Sequence, residues 1–145
     1  MNIEYDILGF VFGTGLYEQQ PDLMGRFRDT KPGEKIYFAG DTGFDELFNE
    51  IKKRFGKFCL TLLPIGSYEK RWYMETQHMD AEDAVKVHML LESGQSIGFH
   101  YATFADNPEQ TIDAHEKDLA AALRKYHITE SDFWVLKFGE GRYVS

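Results

Sequence analysis

Residues 58–63 (FCLTLL), near the middle of the chain, set the tightest limit on its fold. All but Thr61 are apolar. A strand with one wet face alternates apolar and polar residues, so a nearly unbroken apolar run reads as a strand covered on both faces. Pro64 and Gly66 end it. Around this run the chain alternates between short strand-like segments and helical periodicity.

Residues 35–39 (KIYFA) are rich in aromatic and β-branched side chains and predict a strand. Gly40, Asp41, Thr42 and Gly43 form a tight loop after it. A helix is expected over 45–55, because Phe44, Leu47, Phe48, Ile51 and Phe55 fall on one face at helical spacing. Lys52, Lys53 and Arg54 suit its negative pole, and Gly56 is placed to cap it. Residues 66–79 read as a loop. Asp80 then caps a helix over 81–92, with Asp83 at the capping-box position, and Ser93-Gly94 ends it. A strand over 96–101 ends near His100. A polar loop with Asn107-Pro108 follows, and then a helix over about 109–126, marked by Ile112, Leu119, Leu123 and Tyr126. Residues 129–132 are a turn, and 133–138 (FWVLKF) the last strand.

The order β-α-β-α-β-α-β predicts an α/β domain with parallel neighbours or mixed pairing in one sheet. Ahead of it, residues 17–34 are polar and turn-rich, and Pro32-Gly33 launches the next strand. The apolar stretch 7–12 reads as a buried strand. It is far too short to span a membrane, and with no basic flank before it the start does not read as a signal peptide.

A length of 145 residues fits one domain. The net charge of −8 argues against a nucleic-acid partner, which needs a basic face. Cys59 is the single cysteine, so no internal disulfide forms. The expected compartment is the cytoplasm, with attachment to a membrane surface as the alternative. No transmembrane segment is expected.

In sheets of this kind ligands gather outside the carboxyl ends of the strands. Three places qualify: Asp41, the loop from Tyr68 to His78, and His100. Asp41, between glycines in FAGDTGF, could bridge two cations with its two oxygens. The more ordinary reading is a residue that caps the next helix or stabilises the turn. His100, in GFHYATF, is a possible ligand for zinc or iron, although a strand histidine is more often a hydrogen-bonded core residue. His78, just before a helix, could bind an anion or donate a proton, or have no task. Tyr68, Arg71 and Trp72 form an aromatic-basic loop that could recognise a phosphate beside an apolar tail, or pack on its own domain. His88, His115 and His127 read as surface or packing residues.

The segments FAGDTGF, LLPIGSYEKRWYM, QHMDAEDAV, GFHYATF and FWVLKFGEGRYV follow one another in this order. Together they resemble the C-terminal half of the metallo-β-lactamase superfamily, in its N-acyl-phosphatidylethanolamine-hydrolysing phospholipase D-like branch. The resemblance covers roughly residues 23–144. It implies half of an αββα sandwich and a metal-dependent phosphodiester hydrolase, with two metal ions, usually zinc, that activate water and stabilise developing charge. It implies Asp41 as the bridging ligand and His100 as a ligand of the second ion. It implies His78, with Gln77 beside it, as the contact to the phosphate or oxyanion. Tyr68, Arg71 and Trp72 then become candidate contacts for a phospholipid or another phosphate ester.

The family's remaining ligands come from an HxHxDH motif and a further histidine, both ahead of the GDTG strand. Here no histidine precedes His78. The chain, residues 1–145, is therefore expected to be a single partial domain, the C-terminal half without the HxHxDH half, inactive or nearly so alone. One sheet face is expected to be left uncovered. Its partner would be an N-terminal half or a second copy of the chain. The alternatives are a degenerate, non-catalytic binding or assembly module, and a metallo-hydrolase of a small ester or sugar-phosphate lactone.

Overall fold

A computed structural model describes residues 26–31, 34–67, 72, 77–101, 111 and 113–144. Its elements are β1 (Arg26–Lys31), β2 (Glu34–Phe38), α1 (Leu47–Phe55), β3 (Leu60–Pro64), α2 (Ala81–Leu90), β4 (Gln95–Phe99), α3 (Ala114–Tyr126) and β5 (Phe133–Val135). The strand expected over 7–12 lies outside the described residues. The described strands form one sheet in the order β1-β2-β3-β4-β5. β1 pairs antiparallel with β2, while β2, β3, β4 and β5 run parallel. Among the described residues each parallel step passes through a helix, as parallel neighbours require. β1 falls inside the stretch that composition marks as polar and turn-rich, and it adds a strand in front of the expected alternation.

The period of two along each strand decides what faces what. On β3, Leu60 and Leu62 face one side and Leu63 the other; on β2, Ile36 and Tyr37 divide in the same way. α1, α2 and α3 pack on the Tyr37 and Leu63 side, through Phe48 and Ile51 of α1, Val85 and Val87 of α2, and Leu119 and Leu123 of α3. Each buried side chain of this size contributes about 1.5–3 kcal/mol relative to exposure. The β3 run is therefore apolar because it is covered twice.

The opposite face carries Ile36, Leu60, Leu62, Ile97 and Trp134, none more than 5% exposed. This differs from the uncovered face expected from the sequence. Phe38, Cys59, Phe99, Leu136 and Val144 pack against that cluster, and the Arg142 guanidinium lies 4.3 Å from the centre of the Trp134 ring. The C-terminal segment after β5 thus folds back across this face.

The caps follow the local chemistry. Asp80 accepts a hydrogen bond from the Asp83 backbone N–H at 2.8 Å, which satisfies a donor at the start of α2. The Leu47 N–H at the start of α1 donates to Asp45 Oδ1 at 2.8 Å. Gly56 ends α1 with φ of 74°, where a side chain would be strained. Among the described residues no helix is long and apolar enough to cross a membrane.

Candidate metal centre

Three segments, each following the carboxyl end of a parallel strand, meet at one edge of the sheet. The first leaves β2 through Ala39 and Gly40 and carries Asp41. The second runs from β3 to α2 and carries Gln77 and His78. The third is the residue after β4, His100. The backbone fastens them together: the Met79 N–H donates to Thr42 O at 3.1 Å, and the Ile65 N–H donates to Phe99 O at 3.0 Å. Gly66 lies so close to the His100 carbonyl that a Cβ there would stand 2.0 Å from its oxygen. His100 itself has φ of 59°, an uncommon conformation for a residue with a side chain. Strain of this kind is found where surrounding structure holds a side chain in one direction.

That direction is toward Asp41. His78 Nδ1 lies 2.7 Å from Asp41 Oδ1, and His100 Nε2 lies 3.8 Å from Asp41 Oδ2. The two imidazole rings stack with centroids 5.5 Å apart and planes inclined by 25°. The Asp41 side chain is 55% exposed, His100 35% and His78 14%, so the cluster opens to solvent on the carboxylate side. One ligand atom from each of the three residues lies within 4.8 Å of the other two.

At the start of α1 it is Asp45 that accepts from the Leu47 N–H, and the Asp41 carboxylate faces two imidazoles. His100 is no buried core residue but a partly exposed one at the mouth of the cluster. Gln77, beside His78, is exposed. Trp72 is 81% exposed, while Tyr68 and Arg71 lie outside the described residues.

The donor set fits a divalent transition metal. Two imidazoles and one carboxylate are a recurrent set for catalytic zinc, in which a further position stays open. Donors about 2.0–2.1 Å from a tetrahedral ion stand about 3.3 Å apart, and the separations here bracket that value. A carboxylate that presents a different oxygen to each of two neighbours also has the form of a bridging ligand.

Of the three histidines read as surface or packing residues, two pack inside. His88 and His115 are buried, at 5% and 3% exposure. His88 Nδ1 shares a hydrogen bond of 2.7 Å with Ser96 Oγ, which shares another of 2.6 Å with Thr61 Oγ1. Burial holds the His88 imidazole below its ordinary pKa, while the Asp132 charge works the other way. His127 is exposed and ends α3 with φ of 57°.

An α/β sheet with a carboxylate–imidazole cluster at its carboxyl edge defines a metallo-hydrolase-like domain. The family described as "Beta-lactamase superfamily domain" matches residues 13–101, more than half of the chain. The chain belongs to the beta-lactamase superfamily, in its metallo-β-lactamase form. It is 45% identical over 128 residues to N-acyl-phosphatidylethanolamine-hydrolyzing phospholipase D 1 of Caenorhabditis elegans, covering 87% of this chain and 36% of that protein. It is 37% identical over 108 residues to the mitochondrial N-acyl-phosphatidylethanolamine-hydrolyzing phospholipase D of Saccharomyces cerevisiae, covering 72% of this chain and 23% of that protein. Among solved structures, the metallo-beta-lactamase fold protein YhfI of Bacillus subtilis superposes with a TM-score of 0.54 at 13% identity, over 79% of this chain and 42% of that one, a likeness of fold. The chain spans about a third and about a quarter of the length of the two phospholipase D relatives. The family implies a divalent metal, and Asp41, His78 and His100 are placed so that they could hold one.

Proposed function

We propose that the chain forms the C-terminal part of a zinc-dependent phosphodiester hydrolase of phospholipase D type. The observation that carries this reading is the convergence of Asp41, His78 and His100 at the sheet edge, in a chain similar to two phospholipases D. Asp41 and His100 would hold the metal. When bound, the metal acts as a Lewis acid that polarises a phosphoryl oxygen and lowers the pKa of water.

The remaining work falls to this chain's own side chains. His78, held next to Asp41, can hydrogen-bond a phosphoryl oxygen as charge builds on it, and Gln77 adds an amide donor beside it. In the sequence Tyr68, Arg71 and Trp72 follow β3, and a guanidinium such as that of Arg71 matches a phosphate by charge and shape. Tyr68 and Trp72 would meet the apolar part of the ester. The substrate class is therefore a phospholipid or related phosphate ester. The family completes two metal positions with ligands from an HxHxDH motif, which these 145 residues do not contain.

Phosphodiester hydrolysis by the purified chain, with and without such a segment from a relative, tests this. The chain alone should be nearly inactive. Adding the segment and zinc should produce turnover that Asp41→Ala abolishes. Ordinary turnover by the chain alone, or turnover indifferent to Asp41→Ala, would refute it.

A further inference from the structure

Along a strand, residues two apart face the same side of the sheet. Ile97 and Phe99 of β4 obey this, and both pack on the Trp134 side, away from the helices. Tyr101 is the next in that series, yet it packs on the helix side, with its ring centroid 6.3 Å from that of the buried His115. The reversal falls on His100, whose φ of 59° turns the chain in the left-handed sense. A residue with a side chain needs its surroundings to hold it there. On the β3 side Gly66 presses on the reversal: a Cβ there would stand 3.0 Å from Tyr101 Cα as well as 2.0 Å from His100 O. On the β5 side the ladder stops at Gly98 and Val135. Beyond it the Tyr101 hydroxyl donates to Leu136 O at 2.9 Å.

We propose that Tyr101 is a positioning residue: its hydroxyl bond to Leu136 holds the reversed backbone at His100 and so aims the imidazole at Asp41. This goes beyond the hydrolase reading by giving a task to a residue outside the carboxylate–imidazole cluster, and only its metal-binding readout rests on that reading. His100 stands between two anchors on opposite faces of the sheet. Phe99 before it lies against Phe38, with ring centroids 5.0 Å apart, and the His100 ring stands at 88° to the Phe99 ring. Tyr101 after it is fixed at two points, its ring on the helix-side core and its hydroxyl on the residue after β5. With both anchors set, the His100 side chain is directed along the sheet edge, where its Nε2 lies 3.8 Å from Asp41 Oδ2. Loss of the hydroxyl bond releases one end of the reversal. The backbone at His100 can then relax toward the negative φ that residues with a side chain prefer, and the imidazole turns away from Asp41. The same bond makes Leu136 the link through which the C-terminal segment, folded across the Trp134 face, reaches the edge.

Tyr101→Phe removes the hydroxyl and keeps the ring on the core, so the chain still folds, and NMR of the metal-free chain reads the backbone directly. In the parent, a strong NOE between the amide and α protons of His100 marks the positive φ. It should weaken in Tyr101→Phe as His100 samples negative φ. Zn(II) affinity, measured by titration, should fall about tenfold, the lower end of what losing a partner that orients a metal-ligating histidine costs. Tyr126→Phe is the control. It removes another tyrosine hydroxyl bond, the one to Glu82 at 2.9 Å, and should leave both readings at the parent's values. Absence of the NOE from the parent, or a Tyr101→Phe chain with the parent's NOE and Zn(II) affinity, would show that the hydroxyl does not position His100, and the hydrolase reading would be untouched. Equal losses in Tyr101→Phe and Tyr126→Phe would mean general loosening and would also overturn the inference. If the NOE weakens in Tyr101→Phe alone while the parent binds no Zn(II), the positioning stands and the metal reading of the isolated chain fails.

Discussion

The chain holds its histidines in two contrasting ways. At the carboxyl edge of the sheet, His78 and His100 come from separate loops and turn toward one largely exposed carboxylate. Between the sheet and α2, His88 is shut in, with its Nδ1 on Ser96 and Ser96 on Thr61. The ring chemistry is the same. At the edge it faces an anion that solvent can reach, so a cation can enter. In the interior every neighbour is protein, and the hydrogen bonds serve to lock α2, β3 and β4 in register. Convergence on an open carboxylate, more than burial or number of contacts, is what separates a histidine poised to bind from one that only packs.

Substitutions at the two places should read out in different experiments. The largest effect belongs to Asp41→Ala: Zn(II) affinity should fall by about a hundredfold or more. Stability without metal should stay within about 0.5 kcal/mol, as for most exposed positions. Comparable loss of stability in both states would make Asp41 a structural residue. Ser96→Ala should do the reverse. It leaves a buried imidazole and the Thr61 hydroxyl without their shared partner, which costs about 1–3 kcal/mol in denaturant unfolding. Zn(II) affinity should not change.

Gly66→Ala tests whether the edge is built by the backbone. The added Cβ would meet the His100 carbonyl oxygen at 2.0 Å, so β3's continuation and the residue after β4 must part. Overpacking of this kind costs about 1–3 kcal/mol. Unlike Ser96→Ala, it should also weaken Zn(II) binding, because it displaces His100.

The smallest effect is one of pH. Burial lowers the His88 pKa from 6.5, so the folded chain binds fewer protons there than the unfolded chain between the two values. Stability should therefore be full above about pH 6.5 and fall as the pH drops below it. Glu82 is pushed down to about 2 by hydrogen bonds from Lys125 and Tyr126, and Glu92 to about 2 by those from Lys57 and Lys52. The stability they contribute is fully present above the ordinary carboxylate range and is lost only below it, so unfolding measured between about pH 7 and 5.5 isolates histidine titration. His88→Gln should flatten the slope in that window. An unchanged slope would show that another group titrates there.

Much of the scaffold could be read in the residues, because burial leaves periodic marks. The apolar run at β3 and the helical spacing of Phe48 and Ile51 led to the elements found there. Asp80 and Gly56 marked ends that the structure keeps. β1 was not legible: of Arg26–Lys31 (RFRDTK), Phe27 alone is apolar. Charge suits an edge strand, but it looks like a loop when periodicity is the guide. Asp41 and His100 could be singled out from their places at strand ends. The contact between His78 and Asp41 could not, because it depends on the backbone at Met79 meeting that at Thr42, far away in sequence. His88 went unnoticed as a buried polar residue, since a helical histidine gives no sign of a serine opposite it on a neighbouring strand.

The central claim, that the carboxyl edge of this sheet is a metal site, is tested most directly by anomalous diffraction. Crystals of the chain grown with zinc would be measured on both sides of the zinc absorption edge. The account predicts an anomalous peak within bonding distance of the Asp41 carboxylate and the His100 imidazole. Zinc bound elsewhere, at His127 for example, with none at Asp41, would contradict it.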